Sequence, residues 1–123
     1  DMIDRNIVDI VQPDVMYMGG LTRTLKIAKM AEQKNIPCTP HSANLSLVTI
    51  CTMHFLKAIS NAGKYLELSI EGEDYYPWQK ELFINDPFLV KDGKVEISNS
   101  PGWGIEINPE WLNKANYNVS EIK

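Results

Sequence analysis

Cysteine is scarce in this sequence, and that scarcity excludes several chemistries at once. Only Cys38 and Cys51 occur, with no Cys-x-x-Cys pair, so neither a zinc site nor a disulfide framework is expected. Both lie inside apolar runs and read as core residues. Basic runs are absent too, and the net charge is −4. Nucleic acid or an anionic membrane is therefore not the expected partner. No apolar run approaches the roughly 20 residues needed to span a bilayer. No stretch combines a charged start, an apolar core and a small-residue cleavage site, so a cytoplasmic location is the expectation. The chain also lacks Gly-x-Gly-x-x-Gly and Gly-Lys-Ser, which argues against a nucleotide loop.

What is present is the pattern of a globular α/β chain. A length of 123 residues sets a prior of one domain, and 44% hydrophobic with 23% charged residues is a folded composition. The chain opens Asp1-Met2-Ile3-Asp4 and enters a strand almost at once, unlike the independent start of a domain. Ile7 to Val11 is a short apolar run suited to a buried parallel strand, closed by Pro13. Gly19-Gly20 gives the freedom for a tight turn into a helix marked by Leu21, Leu25, Ala28 and Ala31. Ile36 to Thr39 is the next strand. Leu45, Val48, Cys51, Phe55, Leu56 and Ile59 mark a second helix, stopped at Asn61-Ala62-Gly63. Tyr65 to Ile70 is the third strand. The order β-α-β-α-β predicts a parallel sheet with right-handed crossovers. Beyond it, Asp92-Gly93 between Phe88–Val90 and Lys94–Ile97 signals a hairpin in an irregular, β-rich tail. Three strands are too few for a closed barrel of eight strands and about 250 residues. The chain is either a small open-sheet domain or the last part of something longer.

Parallel strands bring their ends to one rim, and two polar residues stand there. Asp14 follows the first strand and His41 the second. A carboxylate bonded to one imidazole nitrogen fixes the tautomer and leaves the other nitrogen to take a proton. For either residue alone the plainer reading is favoured: a loop cap for Asp14 and a polar helix-start residue for His41. Both at successive strand ends shift the balance toward function. Glu67, flanked by Leu66 and Leu68, is a third candidate. Turned into a barrel mouth, it would stay protonated and donate to an oxyanion; turned outward, it is an edge glutamate. Ser42 is a substrate contact or a helix N-cap, the cap being the safer reading. Gly19-Gly20 reads as a turn before it reads as a phosphate cradle. His54 reads as an ordinary helix residue.

The ordered set of these segments resembles a known family. Val8 to Asp14, Met18-Gly19-Gly20-Leu21-Thr22, Ala31 to Pro37, Pro40-His41-Ser42, Tyr65-Leu66-Glu67 and Pro101 to Asn108 are together similar to the enolase superfamily. The narrower likeness is to its mandelate racemase/muconate lactonizing enzyme branch. The resemblance implies the C-terminal portion of a (β/α) TIM-like barrel, carrying the last three strands. Residues 1–74 would form that part of the barrel. Residues 75–123 would be a β-hairpin tail packing on the barrel and on an N-terminal capping domain. It implies that His41 is the general base, Asp14 its support, and Glu67 the group that stabilises a substrate carboxylate as it becomes an enediolate. The Asp/His pair favours the mandelate racemase subgroup, since the lactonizing subgroup carries a lysine near the position of Asp14 and none stands there.

The implied chemistry is removal of a proton α to a carboxylate, with Mg2+ as cofactor. The family's metal ligands lie on earlier strands, so no metal ligand is expected in this chain. Acid-sugar dehydration is the preferred reaction, with racemisation or epimerisation of a 2-hydroxy acid as the alternative. The implied partner is a small-molecule carboxylate, and the implied complete enzyme is a homo-oligomer. Without the earlier strands and the cap, this chain alone is expected to be inactive. A rival reading from another class is a non-catalytic parallel-sheet module that binds through an exposed edge.

Overall fold

A computed structural model describes residues 1–42 and 44–121. Two compact units emerge, Asp1–Glu71 and Gly72–Lys123. The first holds two helices but, among the described residues, no strand where three parallel ones were expected; the parallel pairing there is short. It consists of single parallel bridges joining Val11 to Cys38 and Cys38 to Ala62. The backbone bonds run from Val11 N–H to Pro37 O at 3.0 Å, Thr39 N–H to Val11 O at 2.9 Å, and His41 N–H to Pro13 O at 3.2 Å. The third segment pairs earlier than its sequence suggests. Cys38 N–H donates to Asn61 O and Gly63 N–H to Cys38 O, whereas Tyr65 to Ile70 runs without ladder pairing. Residues Asn61 to Gly63, expected only to stop a helix, are thus the paired part of the third segment.

Helix α1 (Leu21–Glu32) and helix α2 (Leu47–Ala58) are the two crossovers. Gly19 (φ 83°) and Gly20 (φ 106°) make the turn into α1. Their N–H groups donate to Met16 O and Val15 O, so they are spent on the turn and form no phosphate cradle. Helix α2 starts two residues later than Leu45 suggests, and Ser46, not Ser42, is its N-cap through a bond from Val48 N–H. Its buried face also differs from the expected stripe. Ile50, Met53 and Phe55 are buried, while Val48, Cys51 and Leu56 are only partly so.

The core gathers Ala28, Cys38 and Phe55, with Val11, Leu25 and Ile59 packed against them. Val11 and Cys38, from the first two paired segments, thus pack with residues of both helices. Burying a side chain such as Phe55 contributes about 1.5–3 kcal/mol. Cys38 is the core residue expected, and burial pushes its thiol up to about 11. Cys51 is half-buried, and both thiols are free. Asn61 Nδ2 donates to Ala28 O and Ile36 O, both at 3.0 Å, pinning the end of α1 to the second segment.

The second unit carries the expected hairpin. Strands β1 (Val90–Lys91) and β2 (Lys94–Val95) pair antiparallel about Asp92 (φ 50°) and Gly93 (φ 71°). Tyr76 packs between Tyr75 and Trp78, and Phe83 meets Phe88. A short helix α3 (Pro109–Lys114) was not expected. Its start was nonetheless written in the sequence, as Asn108 at the N-cap with Pro109 at the first helical position. Among the described residues, no helix is long and apolar enough to cross a membrane.

Candidate active site

The turn after the first segment is built around one side chain. Asp14 Oδ1 accepts from Met16 N–H at 2.7 Å and Tyr17 N–H at 2.9 Å. Both bonds hold the carboxylate still and leave Oδ2 to face across the rim. Thr39 and His41 are aligned there by their backbone bonds to Val11 and Pro13. His41 Nδ1 meets Asp14 Oδ2 at 2.7 Å. The Asp14 side chain is 12% exposed and the imidazole 38%. Burial pushes the Asp14 carboxyl up, but the His41 bond, the Tyr17 and Met16 N–H groups and the His41 charge outweigh it. Its pKa is therefore lowered. An ionised Asp14 can only accept, so Nδ1 carries the proton of a neutral imidazole. Nε2 is then the basic atom.

Tyr17 adds a contact that sequence reading missed. Its ring lies over the His41 imidazole, with centroids 6.4 Å apart and planes 21° from parallel. The same loop that bonds Asp14 therefore also covers the ring that Asp14 supports. No sequence signal marked this stacking; the Asx turn that directs Tyr17 follows from Asp14 alone.

Glu67 comes to the same rim. Its Oε2 accepts from Ser42 N–H at 2.8 Å, so it is tied to the residue after His41. Glu67 is solvent-exposed in this chain despite its leucine neighbours. Ser42 is not the N-cap expected of it. It is fully buried, its N–H serves Glu67, and its hydroxyl donates to Thr49 Oγ1 at 3.0 Å. The cap lies four residues on, at Ser46. The sequence reading also passed over Thr49, a buried hydroxyl on the first turn of α2. Asp14, His41, Ser42 and Glu67 thus form one hydrogen-bonded rim through two direct bonds and one peptide link.

Magnesium does not fit these residues by themselves. Among the described residues, no three His, Cys, Asp or Glu side chains gather to hold a metal. Asp14 has engaged both oxygens with N–H donors, and Glu67 one.

Residues 1–111 match the family described as enolase C-terminal domain-like. The chain belongs to that family. Its solved neighbours are members of the enolase superfamily, including the mandelate racemase subgroup. The chain is 33% identical to D-gluconate dehydratase of Thermoproteus tenax over 94% of its own length and 22% of the relative's. It is 58% identical to a provisionally assigned racemase from Roseobacter denitrificans, with a TM-score of 0.90 over 98% of this chain and 33% of that one. An enolase from Pantoea ananatis, solved with bound D-gluconate and magnesium, is 26% identical with a TM-score of 0.72, over 92% of this chain and 26% of that one. The chain therefore spans about a quarter to a third of these family members. Membership supports the α/β, barrel-related fold class expected from the sequence.

Proposed function

We propose that this chain supplies the base side of an active site that removes a proton α to a carboxylate, within a longer enzyme that dehydrates an acid sugar. The observation that carries this reading is the 2.7 Å bond from His41 Nδ1 to Asp14 Oδ2. It orients the ring, sets the tautomer and commits Nε2 to proton transfer. As Nε2 takes the proton, Asp14 faces the positive charge that develops on the ring. Glu67, held through Oε2, would serve the charge growing on the substrate carboxylate only as a carboxylic acid, donating a hydrogen bond from Oε1. In a dehydratase the protonated His41 then returns its proton to the departing β-hydroxyl, closing the proton balance with loss of water.

The complete enzyme would bind magnesium through ligands outside this chain, where it would supply charge stabilisation. Its substrate would be a small polyhydroxylated carboxylate, and it would work in the cytoplasm as a homo-oligomer. The named dehydratase relative and the D-gluconate bound in the Pantoea ananatis structure support the substrate class.

Racemisation is the second reading, favoured by the higher identity to the Roseobacter denitrificans protein. It uses the same proton abstraction and returns the proton to the opposite face. A panel of acid sugars and 2-hydroxy acids, given to the complete protein with magnesium, tests both. Formation of a 2-keto-3-deoxy acid supports dehydration. Inversion at the α-carbon without loss of water supports racemisation. No α-proton exchange with any member of the panel contradicts both.

A further inference from the structure

The rim residues are held by a feature that the chemistry above does not use. Thr49, buried on the first turn of α2, accepts from Ser42 Oγ at 3.0 Å and donates to the backbone carbonyl of Asn44. Its single hydroxyl thus ties the positions on either side of residue 43 to the helix. Ser42 is the residue after the base, and its N–H is the donor that holds Glu67 Oε2. His41 itself reaches back through its N–H to Pro13 O, beside Asp14. One hydroxyl therefore sits behind both the base and the carboxyl group.

We propose that Thr49, acting through Ser42, is a positioning residue for proton abstraction: it fixes the Ser42 N–H that aims Glu67 and the backbone that carries His41. This rests on the proposed proton abstraction and adds a residue to it. Ser42 and Thr49 are 0% and 1% exposed, so no water stands in for a lost partner. Valine matches threonine in shape but can neither donate nor accept. In Thr49→Val the Ser42 hydroxyl loses its acceptor and the Asn44 carbonyl its donor, and Ser42 can relax away from Glu67.

The test uses the complete enzyme with a substrate found in the panel above, assayed well below the melting temperature of each variant. Thr49→Val is expected to lower kcat about tenfold to a hundredfold, the scale of a misplaced catalytic group. KM should stay within about twofold, and Thr49→Ser should restore kcat to within about threefold of wild type, because misplacement is felt in turnover more than in binding. A folded Thr49→Val enzyme with unchanged kcat overturns the proposal, as does a Thr49→Ser enzyme as slow as the valine variant. Should Thr49→Val fail to fold, Ser42→Ala removes the same bond from the other side. The same fall in kcat then supports the proposal, and an unchanged kcat overturns it. The wild-type control separates the two layers. A wild type that exchanges no α-proton removes the proposed function itself. A wild type that exchanges, beside variants with unchanged kcat, removes only the role of Thr49.

Discussion

At the residue scale, Asp14 divides its two oxygens between a turn and a ring. Oδ1 is taken by Met16 and Tyr17 N–H, and Oδ2 by His41. Asp14→Asn keeps the shape but replaces one acceptor oxygen with a donor, which favours the wrong tautomer of His41. The complete enzyme carrying Asp14→Asn should lose about 10²–10⁴-fold in α-proton exchange, the usual worth of a positioned general base. An unchanged exchange rate would separate Asp14 from catalysis. The same carboxylate also carries a pH signature. Its folded pKa is lowered from the ordinary 3.8, with burial opposed and outweighed by the His41 bond, the backbone N–H bonds and the His41 charge. Its contribution to stability is therefore present above that ordinary value and is lost as pH falls through the lowered one. Denaturant unfolding at pH 7 and at pH 3 checks this: the stability gap between wild type and Asp14→Asn should narrow at the lower pH. A gap of constant size would remove the linkage.

At the scale of elements, the turn into α1 makes a strict demand on the backbone. Gly20 combines φ 106° with ψ 173°, a region side chains avoid, yet a Cβ placed there meets nothing within 4 Å. Gly20→Ala should therefore cost about 1–3 kcal/mol from backbone strain alone. Gly72→Ala, equally uncrowded but free of a positive φ, should stay within about 0.5 kcal/mol of wild type. Thermal melts of the two variants decide it, and equal costs would mean that the turn tolerates another conformation. The two helices, the glycine turn and the hairpin at Asp92-Gly93 were legible in the sequence because each has a local cause: apolar spacing or a required φ. The third segment was misplaced because its apolar residues lie at Tyr65 to Ile70, while its ladder bonds come from the plain backbone of Asn61 and Gly63. Ser42 and Ser46 are alike in sequence, and only the fold decides which one caps α2. Asp14 and His41 were legible as polar residues just after apolar runs, and Glu67 as a carboxyl set among leucines. Thr49 and Tyr17 were not, since a buried threonine and a stacked tyrosine leave no local mark.

For the molecule as a whole, the exposed apolar surface is as informative as the core. Ile7 and Ile10 precede the bridge at Val11, Tyr65 and Ile70 lie in the unpaired run after Gly63, and Ile70 is 99% exposed. These are residue types that a parallel sheet normally buries on both faces. Produced by itself, the 123-residue segment should self-associate at micromolar concentration, as exposed strand edges and apolar patches do. Light scattering checks this, and a stable monomer would favour the rival reading of a self-sufficient module. The role proposed for the His41–Asp14 pair is removal of a substrate proton. It is tested most directly by incubating the complete enzyme with its carboxylate substrate in deuterium oxide and following the α-proton by NMR. Wild type should wash the proton out, and His41→Asn should lose that exchange by about 10²-fold or more. Exchange at the wild-type rate in a folded His41→Asn enzyme would contradict that role.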